Sequence, residues 1–274
     1  MRTLQTRWCF ASVLAVFGWV VQLTPRMAKA LIRANLGRGI VIAAEAPAYG
    51  LKRAMASGNF GARIMPATAA GRVAIASNVL LDGRLALFHE TDKWLAVSDL
   101  HFGYELSQRA AGRLVPLWGM TSIEARLAEL LDEYQPRRLI ILGDLVHDAA
   151  SATAASEFLV RLRQRCEVTA VTGNHDRHVE STIDFVPRWE TPDFLFQHGH
   201  CAPEATDRIR IIGHHHPSAT IRDGAGLRLK CPALIQQEHC WILPAFSPWA
   251  GGVSWPDDGE CRIWLCSPGR VLRL

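Results

Sequence analysis

The chain has 274 residues, 49% of them hydrophobic and 20% charged, with a formal net charge of +4. That composition can bury a large core, which excludes a disordered main body. Its seven cysteines form no Cys-x-x-Cys pair, which argues against a zinc ribbon, and their irregular spacing reads as reduced thiols and a cytoplasmic setting rather than a disulfide framework.

Residues 1–70 hold nine Lys or Arg and a single acid, Glu45, whereas residues 71–274 hold 21 against 25 acids. The basic character therefore belongs to an N-terminal extension, and a domain is expected over residues 71–274. Arg2 and Arg7, the apolar run from Cys9 to Leu23, and Ala28-Lys29-Ala30 resemble a signal peptide with its cleavage site. The run is too short for an ordinary membrane span, so no stable membrane insertion is expected. Three readings of the extension stay open: an export signal, a basic disordered arm that touches nucleic acid or membrane, or an upstream stretch ahead of a true start at Met55 or Met65.

From Trp94 onward, buried strands alternate with polar loops and helices. Trp94 to Val97 leads into Ser98-Asp99-Leu100-His101. Thr121-Ser122-Ile123-Glu124 has the form of a capping box, and Ile123, Leu127, Leu130 and Leu131 share a face, which predicts a helix over 122–134 that stops before Pro136. Leu139 to Leu142 is the next strand and ends at Gly143-Asp144, with Asp148 four residues on. A second helix is predicted over Ser151 to Arg165, with Ala155, Phe158, Leu159 and Leu162 on one face, so the sheet should contain parallel pairs. Val168 to Val171 precedes Gly173-Asn174-His175-Asp176, Phe194 to Phe196 precedes His198-Gly199-His200, and Ile209 with Ile211-Ile212 precedes Gly213-His214-His215-His216. The remainder predicts short strands at 227–229, 240–243, 252–255, 261–265 and 271–274, separated by turns such as Ser267-Pro268-Gly269 and suggesting a second sheet packed on the first.

Any one of these polar segments is ordinary, since an Asp after a strand is usually a turn or a cap. Five in succession, each at the carboxyl end of a strand, place Asp, Asn and His where α/β folds gather their sites. A pair of divalent ions ~3.5–4 Å apart needs a carboxylate to bridge them and further oxygen and imidazole ligands for each ion. So many histidines suit manganese, zinc or iron better than magnesium. No nucleophilic Ser or Cys is required, and Cys166 and Cys201 have no base placed beside them.

Asp99-x-His101, Gly143-Asp144, Gly173-Asn174-His175-Asp176, His198-Gly199 and Gly213-His214-x-His216 resemble the ordered motifs of the calcineurin-like metallophosphoesterases, over roughly residues 73–274. Ser98 to Glu105 and Leu243 to Gly252 are further similar to the bacterial DNA-ligase-associated, DNA-damage-response endonuclease group. The resemblance begins only near Val73, which favours the upstream-stretch reading of the extension. It implies a four-layer α/β/β/α sandwich with two mixed sheets. It also implies that Asp99, His101 and His216 hold one ion, that Asn174, His198 and His214 hold the other, and that Asp144 bridges both. A hydroxide between the ions would be the nucleophile. His175 would lie free of the metals and protonate the leaving oxygen, with Asp176 orienting it. The substrate implied is a phosphoester, DNA in repair above all, with a DNA ligase or helicase as partner. A nucleotide, lipid precursor or phosphoprotein is the alternative substrate. A non-catalytic scaffold is the rival class, and no implied ligand position is missing to support it.

His200 competes with His198, because both lie on one face of an extended segment; the family pattern favours His198 and leaves His200 as a nearby donor or substrate contact. His215 should point away from the ions, and His147, His178, His239 and His89 have no ligand-like context. Trp249 and Phe246 are candidates for stacking on a base, with core packing the stronger expectation. Arg109, Arg113, Arg177 and Arg188 are candidate phosphate contacts, although the acidic balance of residues 71–274 argues against a broad nucleic-acid footprint.

Overall fold

The computed structural model describes residues 13–16, 19–22, 71–179, 183–203, 205–222 and 226–274. The chain divides into two units, Met1–Arg53 and Ala54–Leu274. In the first, β1 (Val13–Val16) pairs antiparallel with β2 (Trp19–Gln22). The proposed cleavage site and the candidate starts Met55 and Met65 lie outside the described residues. Among the described residues no helix is long and apolar enough to cross a membrane.

Among the described residues of the second unit, a meander not expected from the sequence comes first: β3 (Arg72–Ala76), β4 (Val79–Asp82) and β5 (Ala86–His89). These strands extend an antiparallel edge onto the parallel trio β6 (Trp94–Ser98), β7 (Arg138–Leu142) and β8 (Glu167–Val171), giving the order β3-β4-β5-β6-β7-β8. The short helix α1 (Tyr104–Ala110) follows β6, and the crossover helices α2 (Gly119–Tyr134) and α3 (Ala152–Arg163) connect the parallel strands. Both crossovers cover one face of this sheet. Tyr134 stacks on Phe88 at 4.4 Å, and Phe158 stacks on Phe102 at 4.4 Å.

The capping box expected at Thr121 does not form. Helix α2 begins three residues earlier than expected, with Trp118 as its N-cap and no side-chain bond from that residue. The buried carboxylate of Glu105 accepts the Met120 N–H at 2.8 Å instead, so a group from α1 satisfies one of the helix's free amide donors. Helix α3 follows a 3-10 turn at Ala149–Ser151, where the Asp148 carboxylate accepts the Ala150 N–H at 2.9 Å.

The second sheet runs β15-β12-β13-β14-β11-β10-β9, with β16 and β17 added beside β13. Its strands are β9 (Trp189–Glu190), β10 (Phe194–Phe196), β11 (Ile209–Ile212), β12 (Pro217–Arg222), β13 (Arg228–Gln236), β14 (Cys240–Ile242), β15 (Val253–Ser254), β16 (Arg262–Ser267) and β17 (Arg270–Arg273). β12 and the long β13 form a hairpin where the sequence suggested only Leu227 to Leu229. Both are half exposed, so they lack the unbroken apolar run that marks a buried strand.

The sheets meet through an aromatic layer. Trp94 of β6 sits edge-on to Phe194 at 5.4 Å and Phe196 at 5.1 Å, and Phe194 packs against Trp241 at 5.7 Å. Gln236 crosses between the layers and donates to the Ile75 carbonyl at 3.0 Å, while the Trp264 indole donates to Gln236 at 3.0 Å. The opposite face of the second sheet carries its own cluster, including Ile212, Ile235, Ile242 and Ile263. Two mixed sheets are what the motifs implied; of the four layers expected, the second helical one is not seen, because all α-helices among the described residues lie in the connections of the first sheet.

Candidate metal centre

Each predicted ligand lies where a strand ends, and the backbone there is unusual. Asp99, His101, Asp144, His214 and His216 all have positive φ, between 42° and 67°. A non-glycine residue in that region costs about 1–3 kcal/mol, and such residues gather at functional sites. The left-handed step turns each side chain out of the strand's alternation and back across the strand ends.

Hydrogen bonds continue past the strands and lock the loops together. His101 N–H donates to the Asp144 carbonyl and Phe102 N–H to that of Leu145, both at 2.8 Å. From the second sheet, Gly213 N–H donates to the His198 carbonyl at 3.0 Å. The segment after β14 also reaches the first sheet, where Phe246 N–H donates to the Ser98 carbonyl at 2.8 Å and Ser247 N–H to that of Asp99 at 3.1 Å.

The side chains converge in two donor groups that share Asp144. Asp99, His101, Asp144 and His216 form one; Asp144, His198 and His214 form the other. In the first, His101 Nε2 lies 3.4 Å from His216 Nε2 and 3.8 Å from Asp144 Oδ2, and His216 Nε2 is 3.4 Å from Asp99 Oδ1. In the second, His198 Nε2 lies 3.4 Å from Asp144 Oδ2, 3.2 Å from His214 Nδ1 and 3.1 Å from the Asn174 side-chain oxygen. All seven residues assigned to metal ligation are thus within one crevice.

The surroundings hold His101 and Asp144 in ligating form, whereas an ion at His198 has to compete with a proton. Burial lowers the His101 pKa to about 4 despite Asp144 and Asp99 nearby, so its imidazole is neutral at physiological pH. For Asp144 burial pushes upward, but His198 and the His175 amide pull its pKa well below the carboxylate range. Burial also opposes charge on His198, yet Asp144 and Asp99 outweigh it and raise its pKa. Its Nδ1 faces the Leu142 carbonyl at 3.0 Å, which leaves Nε2 for the centre. Nitrogen lone pairs facing one another around carboxylate oxygens are a donor set suited to divalent transition ions.

His175 stands beside this set. Its amide donates to Asp144 Oδ1 at 3.0 Å and its Nδ1 lies 2.8 Å from the His147 carbonyl. The ring is therefore oriented by that carbonyl and not by Asp176, as the sequence had suggested. Asp176 is fully buried and spends its carboxylate on the backbone, accepting Val146 N–H at 3.1 Å and Gly173 N–H at 2.8 Å. Burial, partly offset by those bonds, raises its pKa to about 6. Its work is to tie the Asp144 loop to the Asn174 loop.

His198 rather than His200 enters the donor group; the His200 ring sits 5.2 Å from that of His198 and is half exposed. His215 is exposed and outside the donor groups, its ring 5.3 Å from that of His214 and 6.1 Å from that of Trp255. His147 was missed. It groups with His101 and His175, its ring stacked 5.2 Å from that of His175. Its position three residues after Asp144, in the same loop, was the available signal. Phe246 is fully buried beneath the Arg126 guanidinium, whereas Trp249 is half exposed.

Residues 93–271 match the sequence model of the calcineurin-like phosphoesterases. The structure of the nuclease MPE of Pseudomonas putida is similar over 76% of this chain and 100% of its own, at 26% identity and a TM-score of 0.60. The phosphoesterase YfcE of E. coli is similar over 62% of this chain and 86% of its own, at 19% identity and a TM-score of 0.36. No curated protein matches the chain.

Proposed function

Because the chain belongs to the calcineurin-like phosphoesterases and is a metal-dependent phosphoester hydrolase, we propose that it is a two-metal phosphodiesterase that cuts DNA as a nuclease in repair. The observation that carries the two-metal reading is the sharing of Asp144 by two donor groups. Asp99, His101 and His216 would hold one divalent ion, Asn174, His198 and His214 the other, and Asp144 both, with manganese the expected ion and zinc or iron alternatives. When bound, such a pair supplies Lewis-acid charge for the phosphoryl oxygens and brings the pKa of a water toward neutrality, so that hydroxide is available as the attacking group.

The remaining work falls to the protein. With Nδ1–H of His175 committed to the His147 carbonyl, the ring donates from Nε2 only in its imidazolium form, which would pass the Nε2 proton to the leaving oxygen and return to the neutral ring. Asp176 keeps the loops carrying Asp144 and His175 in register through two amide bonds. DNA as substrate is supported by the similarity to a nuclease and by the resemblance of Ser98 to Glu105 and Leu243 to Gly252 to the ligase-associated group. That resemblance also suggests a DNA ligase or helicase as partner. The acidic balance of residues 71–274 favours a second reading, hydrolysis of a small nucleotide or similar diester.

Hydrolysis of bis-p-nitrophenyl phosphate with added manganese, run beside nicked and single-stranded DNA, tests both readings. Asp144→Asn should lose metal and lose activity by more than about a hundredfold, since even groups behind the ligands cost 10–100-fold. Near-normal activity with two bound ions would overturn the bridging role. Cleavage of the small diester but of neither DNA would select the second reading.

A further inference from the structure

A row of aromatic rings leads outward from the metal donors. The His147 ring lies 5.5 Å from that of His101, the Tyr104 ring 4.8 Å from His147, the Trp249 ring 5.5 Å from Tyr104, and the Trp118 ring 4.9 Å from Trp249. Tyr104, Trp249 and Trp118 are each half exposed, and nothing in the proposed chemistry uses them. They come from three separate places: the start of α1, the loop after β14, and the N-cap of α2.

The row is held in place by buried groups. Glu105, 1% exposed, accepts the Trp249 indole N–H at 3.0 Å on one oxygen and the Met120 N–H at 2.8 Å on the other. A Cβ at Gly119 would fall on the Trp249 indole nitrogen, so glycine makes room for the ring at that point. A carboxylate buried to aim an indole is not needed for packing alone, which an apolar side chain would serve without the desolvation cost.

We infer that Tyr104, Trp249 and Trp118 form a stacking site for unpaired nucleobases next to the phosphate under attack. The inference rests on the nuclease reading above and names the part of the protein that would recognise the strand. Residues 71–274 carry more acids than bases, so phosphate contacts alone give a poor grip. Base–aromatic stacking supplies affinity that does not depend on net charge, and every base has a face to offer. Arg109 in the last turn of α1 and Arg113 in the loop after it are both exposed on the segment that joins Tyr104 to Trp118.

The test compares an unstructured thymidine oligonucleotide with an abasic strand of the same length, under the manganese conditions used above. The wild type should have a KM about tenfold lower for the base-bearing strand, the order expected of one base–aromatic stack. Trp249→Ala and Trp118→Ala should each reduce that ratio toward one, and Trp249→Phe, which keeps a ring, should restore most of it. The ratio is taken within one protein sample, so partial misfolding does not imitate the effect. Equal KM for the two strands in the wild type, or an unchanged ratio in both alanine variants, would overturn the stacking site while leaving the nuclease reading intact. Hydrolysis of bis-p-nitrophenyl phosphate without cleavage of either strand would overturn both.

Discussion

His175 shows how one residue can be read correctly in kind and incorrectly in its supports. A histidine beside a metal-type asparagine invites a carboxylate partner, and Asp176 is the nearest in sequence. A residue directly adjacent in sequence seldom faces the same way, however, and the 3-10 turn at Asp176–His178 directs the carboxylate inward to two amides. A backbone carbonyl fixes the imidazole tautomer instead. Replacing the ring should therefore spare the two donor groups that share Asp144, to which His175 contributes only its amide. His175→Ala should retain bound metal by elemental analysis and lose about 10²–10⁴-fold in turnover, the usual contribution of a positioned proton donor. Loss of metal together with turnover would make the side chain a structural support for the centre.

At the scale of elements, the site depends on loops that pass unusually close to one another. Gly173 shows this most directly, because a Cβ there would land on the amide nitrogen and Oδ1 of Asp144. Gly173→Ala should displace the shared carboxylate and cut metal affinity by at least about tenfold, although it removes no ligand. Titration calorimetry with manganese would measure it, and wild-type affinity would show that the loop relaxes without moving Asp144. The same closeness explains what was legible beforehand. Strands β6, β7, β8, β10 and β11 are mostly apolar and lead into Asp, Asn or His, so both the strands and the ligands were visible in the sequence. The β12–β13 hairpin and the β3–β5 meander were not, since their strands are short or mix polar and apolar residues and none leads into a residue of the donor groups. The start of α2 was misjudged for a related reason. Its cap is a tertiary contact from Glu105, and no local pattern encodes a partner 15 residues away.

In the second unit as a whole, the centre occupies a seam. Asp99, His101, Asp144 and Asn174 follow strands of the first sheet; His198, His214 and His216 follow strands of the second. Either ion would thus draw ligands from both layers, as a rivet passes through two plates. Because binding that requires the assembled state stabilises it by mass action, manganese at about 100 times its Kd should add ~2.7 kcal/mol to the stability of this unit. A rise in melting temperature on adding manganese, reversed by a chelator and absent in Asp144→Asn, would establish it; a melting temperature indifferent to metal would mean the plates are already joined without the rivet. The consequence reaches past catalysis, for the abundance of such a protein in a cell would follow the supply of its metal.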